Sequence, residues 1–215
     1  MQLGNGGATG SIIGPVLNNG TLIINRSNAY TFAGVISGTG MFVQAGSGTT
    51  TLTGANSYTG GTLISAGRLI GSTVSLQGLI QNDAALEFAQ GTTGVFAGRI
   101  GGTGLLDKSG VGLLELTGDN SALRGATTVR AGELRVTGSL TGSATTVLSG
   151  ATLSGNGTVG GLIARSGSVV SPGAGGLGML GVNGAIQLQS GSTLRLQVQA
   201  PSGSDMLIGN GTMQL

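Results

Sequence analysis

The sequence predicts an all-β chain wound into a parallel β-helix, and three observations lead there. Glycine supplies 46 of the 215 residues, about three times its ordinary share of ~7%. Together with Ser, Thr and Asn it makes up nearly half the chain. Short apolar runs alternate with polar residues and are parted by turn dipeptides, and the chain repeats itself at long range. The first two observations give a fold of small side chains, many turns and a thin aliphatic core. The third sets its architecture.

Strands are read from alternation at period two. Ile186-Gln187-Leu188-Gln189 and Leu194-Arg195-Leu196-Gln197-Val198 alternate apolar and polar side chains, as a strand with one buried face does. Leu114-Glu115-Leu116 and Leu134-Arg135-Val136 do the same and turn Glu115 and Arg135 outward. Asn-Gly at 5–6, 19–20, 156–157, 183–184 and 210–211, with several Gly-Gly pairs, marks turns, because these residues adopt positive φ at little steric cost. Pro15, Pro172 and Pro201 sit in turn-like contexts and interrupt no strand run.

The repeat is explicit. Gly34-Val35-Ile36-Ser37-Gly38-Thr39-Gly40 returns as Gly98-Arg99-Ile100-Gly101-Gly102-Thr103-Gly104, a shift of 64, and Phe32 returns as Phe96. Leu52-Thr53-Gly54-Ala55-Asn56-Ser57 returns as Leu116-Thr117-Gly118-Asp119-Asn120-Ser121. One inserted residue later, Ala66-Gly67-Arg68-Leu69 returns as Ala131-Gly132-Glu133-Leu134. Copies are expected near 32–95 and 96–160, with further coils over 150–215, the whole of 1–215 forming a single segment. Such a period divides into three coils of about 21 residues, within the range of stacked repeats, and so gives about ten coils in all. A β-sandwich also accommodates short strands, but its core ordinarily takes aromatics, and the chain has four Phe, two Tyr and no Trp. Ladders of Leu, Ile, Val and Ala suit a narrow β-helix interior, whose stability is a sum of similar coil-on-coil terms.

Composition removes several chemistries. The chain has no Cys and no His, so it holds no disulfide, no Cys/His zinc site, no His- or Cys-bound haem, and no Ser-His-Asp or Cys-His machinery. Net charge is +2, and the basic residues, eight Arg and the single Lys108, form no run. A polyanion needs a dense patch to release its counterions, so no nucleic-acid partner is expected. No stretch approaches ~18 consecutive apolar residues, and Met1-Gln2-Leu3-Gly4-Asn5-Gly6-Gly7 lacks the sections of a secretion leader.

The candidate chemistry that remains is thin. Gly155-Asn156-Gly157-Thr158-Val159-Gly160 and Gly173-Ala174-Gly175-Gly176-Leu177-Gly178 match G-x-G-x-x-G, but neither opens a helix, as a dinucleotide site requires. A calcium-binding β-roll needs a carboxylate in every turn. The acids Asp83, Glu87, Asp107, Glu115, Asp119, Glu133 and Asp205 are scattered singly. Glycoside cleavage needs two carboxyl groups roughly 5–10 Å apart; stacking of Asp83 on Asp107, or of Asp107 on Glu133, would supply them, and Glu115 and Asp119 would flank one turn. Aromatic sugar platforms are nearly absent, and solvated acids that keep a Gly-rich rod soluble explain the same residues. Tyr58 reads as a packing residue, and Thr49-Thr50-Thr51 and Thr145-Thr146 are too irregular for an ice-binding array. No catalytic, cofactor-binding or metal-ligating residue is therefore expected, and no cofactor.

Thr53-Gly54-Ala55-Asn56-Ser57-Tyr58-Thr59-Gly60-Gly61-Thr62, followed by Ala66-Gly67-Arg68-Leu69, resembles the passenger-associated transport repeat of bacterial autotransporters, the type V secretion proteins. The second copy keeps Thr117-Gly118-Asp119-Asn120-Ser121 and Ala131-Gly132-Glu133-Leu134 but lacks the Tyr and the central Gly-Gly. Gly150-Ala151-Thr152-Leu153-Ser154-Gly155-Asn156-Gly157, Val170-Ser171-Pro172-Gly173, Gly191-Ser192-Thr193-Leu194 and Ser204-Asp205-Met206-Leu207 resemble the C-terminal coils of such passengers. The resemblance implies a right-handed β-helical passenger segment that supports export and surface display, adhesion or autoaggregation, without catalysis of its own. It also implies a parent chain with a C-terminal outer-membrane β-barrel, on the surface of a Gram-negative bacterium or secreted from it. The partners implied are a host-surface or matrix ligand, or self-association through the solenoid; no small-molecule substrate is expected. The alternative is a carbohydrate-active β-helix of the polysaccharide lyase or glycosidase type.

Overall fold

The computed structural model describes residues 1–199, 201 and 203–215. Those residues form a parallel β-solenoid of about ten turns, with no helix among them. Each turn lays short strands on up to three faces. The first face stacks Gln2–Leu3, Thr21–Ile24, Met41–Gln44, Thr62–Ile64, Leu79–Asn82 and Arg99–Gly101 in parallel register. The second begins at Tyr30–Phe32 and continues through Thr49–Leu52, Arg68–Gly71, Ala85–Ala89, Leu105–Ser109 and Thr127–Val129. The third takes over further along, with Gly94–Phe96, Leu113–Leu116, Gly132–Val136, Ala151–Gly155, Val169–Pro172 and Thr193–Leu194.

Alternation explains which side chains go inward. In Leu113–Leu116 the burial alternates so that Leu114 and Leu116 are sealed while Glu115 is half-exposed. Leu69, Leu86 and Leu106 stack in register in one interior layer of the second face, and Ile80 and Ile100 do so on the first. Each is an aliphatic side chain stacked on another one turn away, the ladder that a narrow lumen accepts at a strand spacing of ~4.8 Å. Five buried aromatics plug wider levels: Phe42 faces Tyr58 with centroids 6.3 Å apart, Phe88 meets Phe96 edge-on at 5.1 Å, and Phe32 stands apart from both pairs.

The turns hold because glycine stands where backbones nearly touch. A Cβ on Gly98 would overlap the Gly78 carbonyl oxygen and approach Phe96 Cζ to 2.6 Å, and one on Gly34 would meet Gly14 and Phe32 in the same way. Every positive φ among the described residues belongs to glycine.

Two expectations are revised. The 64-residue repeat is not three coils. Register carries Phe42 to Thr62, then Ile80, then Ile100, which is three coils in 58 residues. The repeat counterpart of Phe42 is Leu106, six residues further on and on the next face. Each repeat therefore advances three coils and one side of the triangle, and Phe32 and Phe96 lie on different faces. The coil itself runs near 20 residues here, shrinking to 17 from Arg68 to Ala85 and lengthening to 27 from Met179 to Met206.

The strand expected over 194–198 is interrupted. Thr193–Leu194 ends the third face and Val198–Gln199 pairs antiparallel with Gly203–Ser204. Between them the Gln197 amide donates to the Asp205 carboxylate at 2.9 Å, so the chain leaves the stack to reach that acceptor. Past Gly101 the first face also loses regular strands. There the nine-residue strand Ser139–Val147 turns the corner through a register shift between Leu140 and Ala144.

Candidate functional site

Polar side chains inside the solenoid are concentrated at corners, and the repeat places them in matched pairs. Asn18 Nδ2 donates to the Met41 carbonyl and Asn82 Nδ2 to the Leu105 carbonyl, both at 2.9 Å. Asn56 Oδ1 accepts from the Ile36 amide and Asn120 Oδ1 from the Ile100 amide, both at 2.8 Å. Beside them, on the outer surface, exposed Asn19 and Asp83 accept from the Thr39 and Thr103 amides, both at 3.2 Å. At strand ends and on the unpaired edge of a strand, backbone groups lack a ladder partner, and an unpaired buried amide is expensive. A corner asparagine supplies the missing bond from an adjoining coil. Tyr58 belongs to the same class: it is buried, bonded to Thr62 Oγ1 at 2.7 Å, and burial raises its pKa.

Charge is distributed unevenly. Twelve of the sixteen charged residues lie between Arg68 and Arg135, and they form a belt around the middle of the rod. On the second face Glu87 stacks on Asp107 in register. Arg68 bridges them at 2.6 Å and 3.0 Å, Arg130 closes on Asp107 from the next coil at 2.9 Å, and Ser109 donates to Glu87 at 2.6 Å. Asp107 is almost fully covered by these partners. On the third face Glu133 pairs with Arg135 at 3.0 Å and accepts from Ser154, while Glu115 accepts from Thr137 at 3.0 Å.

The carboxylate pairs anticipated from spacing do not form. Asp83 sits at a turn beside Gln81 and Thr103, and Glu133 is on a different face from Asp107. The pair that does stack, Glu87 with Asp107, is 20 residues apart, because the coil is shorter than the spacing assumed for it. Both oxygens of Asp107 are taken up by arginine, an arrangement that ties adjacent coils together. Asp119 caps its own turn, and the Ser121 hydroxyl and amide hold its pKa below the usual carboxylate value. Asp205 accepts from the Gly178 and Gln197 amides at 2.8 and 2.9 Å. Among the described residues no group of three acids could hold a metal ion, and no helix is long and apolar enough to cross a membrane. The segments at 155–160 and 173–178 are a strand-to-strand connection and an irregular turn, neither followed by a helix.

Sequence reasoning missed the corner groups Asn18, Gln44, Asn82 and Lys108. The signal was present: extending the 64-residue repeat back to Asn18 aligns Asn18 with Asn82 and Gln44 with Lys108.

Fold and corner chemistry together define a repeat-built parallel β-solenoid whose interior polar side chains bond one coil to the next. Residues 42–70 and 106–136 match the passenger-associated-transport-repeat family. The chain is 32% identical to the Adhesin BmaC autotransporter of Brucella suis biovar 1 (strain 1330) over an alignment of 133 residues, covering 50% of this chain and 4% of the adhesin. It thus spans a small fraction of the length of that relative. No solved structure matches the chain. Repeat, relative and fold agree in supporting an autotransporter passenger segment.

Proposed function

We propose that this segment is a structural, export-promoting part of a passenger displayed at the surface of a Gram-negative bacterium, where it supports adhesion or autoaggregation and performs no catalysis of its own. The observation that carries the reading is the parallel coil-on-coil pairing that runs from Gln2 to Gln214, with repeat-matched side chains bonding the turns of the two copies. Such a rod folds by adding coils to a formed neighbour, so folding outside the cell would draw the remaining chain outward. In the parent this implies a C-terminal outer-membrane barrel, and the adhesin relative supports an adhesive role.

The test uses the full-length parent expressed in its host or a Gram-negative surrogate. Deleting the stretch equivalent to 42–136 should lower surface display, read as protease-accessible passenger per cell, and reduce adhesion to matrix proteins together with cell aggregation. Undiminished display would overturn the export role. Normal display with lost adhesion would assign the segment to ligand binding instead.

A further inference from the structure

The charge of the rod changes past its middle. Between Glu133 and Asp205 the chain has no acid, whereas Arg135, Arg165 and Arg195 all fall in that stretch. Asp205 is 2% exposed, and its two oxygens are engaged by the Gly178 and Gln197 amides. The accessible charge beyond Glu133 is therefore basic. Aromatic side chains are missing there too, since none follows Phe96.

A groove lies on this part of the third face. Arg135 is in register with Ser154, and Ser154 with Ser171. Arg195 follows Leu194, the partner of Val170, and its amide donates to the Val170 carbonyl at 2.8 Å, which sets Arg195 beside Ser171. Four successive coils thus supply one outward column with an arginine at each end, about 14 Å apart at ~4.8 Å per strand. The chain leaves the stack twice beside this column, after Pro172 and after Leu194. Buried Asp205 ties the two departures together, because one of its oxygens holds Gly178 and the other Gln197. The space between them is about 240 Å³, lined by Thr152, Ser171, Pro172 and Gln197 and reaching from Arg135 to Arg195.

Much of the hydrogen-bonding capacity of the groove is unused. Among the described residues the Thr152 and Ser171 hydroxyls and the Arg195 guanidinium bond no other group. Arg135 is held by Glu133 Oε1 through Nε and Nη2, which leaves Nη1. A guanidinium matches the paired oxygens of an anionic group, and hydroxyls that both donate and accept match those of a sugar. No ring is present for a neutral sugar to lie on. Nucleic acid requires a dense basic patch and rings on which bases stack, and the groove has two arginines and no ring. A peptide strand requires an open ladder edge, and the floor strands Ala151–Gly155 and Val169–Pro172 are paired on both sides.

We propose that this groove binds an acidic polysaccharide, uronate or sulfated, with anionic groups at Arg135 and Arg195 and sugar hydroxyls on Thr152 and Ser171. It gives the adhesive reading a ligand class and rests on that reading only for its biological use.

The experiment measures retention of the chain on immobilised polygalacturonate, dextran sulfate, uncharged dextran and poly-glutamate at low salt. Wild-type chain should be held by at least one acidic polysaccharide, released by added NaCl, and pass the dextran and poly-glutamate surfaces. The stronger of the two acidic polysaccharides tells carboxylate from sulfate. R195A should weaken retention about three- to fivefold. S171V removes a floor hydroxyl at a strand position that suits valine and should weaken retention with net charge unchanged. R165A removes an exposed arginine at the turn before the third face and should match wild type. No retention on either acidic polysaccharide, equal retention on poly-glutamate or dextran, or equal weakening by R165A and R195A overturns the proposal. Should R195A fail to fold, S171V decides the matter: retention equal to that of wild type refutes the site. Retention is read on the isolated chain and display on cells carrying the parent, so failure here leaves the export role standing, and failure of display leaves the groove standing.

Discussion

Replacing Asn56 by alanine tests the idea that corner side chains, rather than the aliphatic ladder alone, hold successive coils together. Asn56 reaches in both directions: Oδ1 accepts from the Ile36 amide one coil behind, and Nδ2 donates to the Ser75 carbonyl one coil ahead, each at 2.8 Å. The residue is 6% exposed, so water does not replace either bond. A buried donor or acceptor left without a partner costs about 1–3 kcal/mol. Two such groups, partly relieved by local relaxation, give an expected loss of roughly 2–4 kcal/mol. In a solenoid that loss falls on the coupling between neighbouring coils, so unfolding should also become less cooperative. Urea denaturation followed by far-UV circular dichroism reads the first effect, and hydrogen exchange at the Ile36 amide reads the bond itself. Asn28→Ala serves as the control, because the Asn28 side chain is exposed and its bond is to the half-exposed Arg26. Wild-type stability in Asn56→Ala, with the Ile36 amide still protected, would refute the reasoning.

Three further outcomes follow. Gly98→Ala should destabilise by several kcal/mol or prevent folding, because backbone rather than a flexible side chain occupies the space; Gly91→Ala, with open space and ordinary φ, should be neutral or stabilising by about 0.5 kcal/mol, both read by denaturant titration. Burial lowers the Lys108 pKa from 10.5 to about 8, with Glu133 opposing the shift. The unfolded chain therefore holds this proton to higher pH than the native chain, and stability should climb between pH 8 and about 10 by on the order of 2 kcal/mol. Above that range Tyr58, whose pKa burial raises above 10.0, reverses the trend, since the unfolded chain ionises first. Denaturation across this pH range should show the climb in wild type and lose it in K108Q. Asp107→Ala should cost about 1–3 kcal/mol, because it leaves Arg130 without its carboxylate and Arg68 with Glu87 alone, whereas Glu133→Gln on the half-exposed third-face pair should cost under about 1 kcal/mol. Turnover of a pectin-type polysaccharide that depended on Glu87 or Asp107 would refute the structural reading of that cluster.

The candidate site was less legible than the fold. Leu114, Leu116, Leu134 and Val136 announced their burial by alternation, which is local and needs no knowledge of what lies above or below. The Glu87–Asp107 stack depends on the number of residues in one coil. That number varies between 17 and 27 here because turns bulge or tighten independently of the strands. A few residues of error in coil length moves a side chain to another corner, which is why Asp83 and Glu133 were paired with Asp107 and Glu87 was not.

By itself the sequence determined that this chain is β-structure, that it repeats, that its interior is aliphatic, and that thiol and imidazole chemistry is closed to it. Those properties are set by residue type and near-neighbour spacing, on which backbone sterics and burial act directly. Only the tertiary structure decided that a repeat turns by one face as it climbs three coils, so that Gln44 and Lys108 serve matching corners on different sides of the rod. The physical reason is that 64 residues is not a whole number of turns. The remainder is a rotation, and a rotation exists only once the coils are stacked.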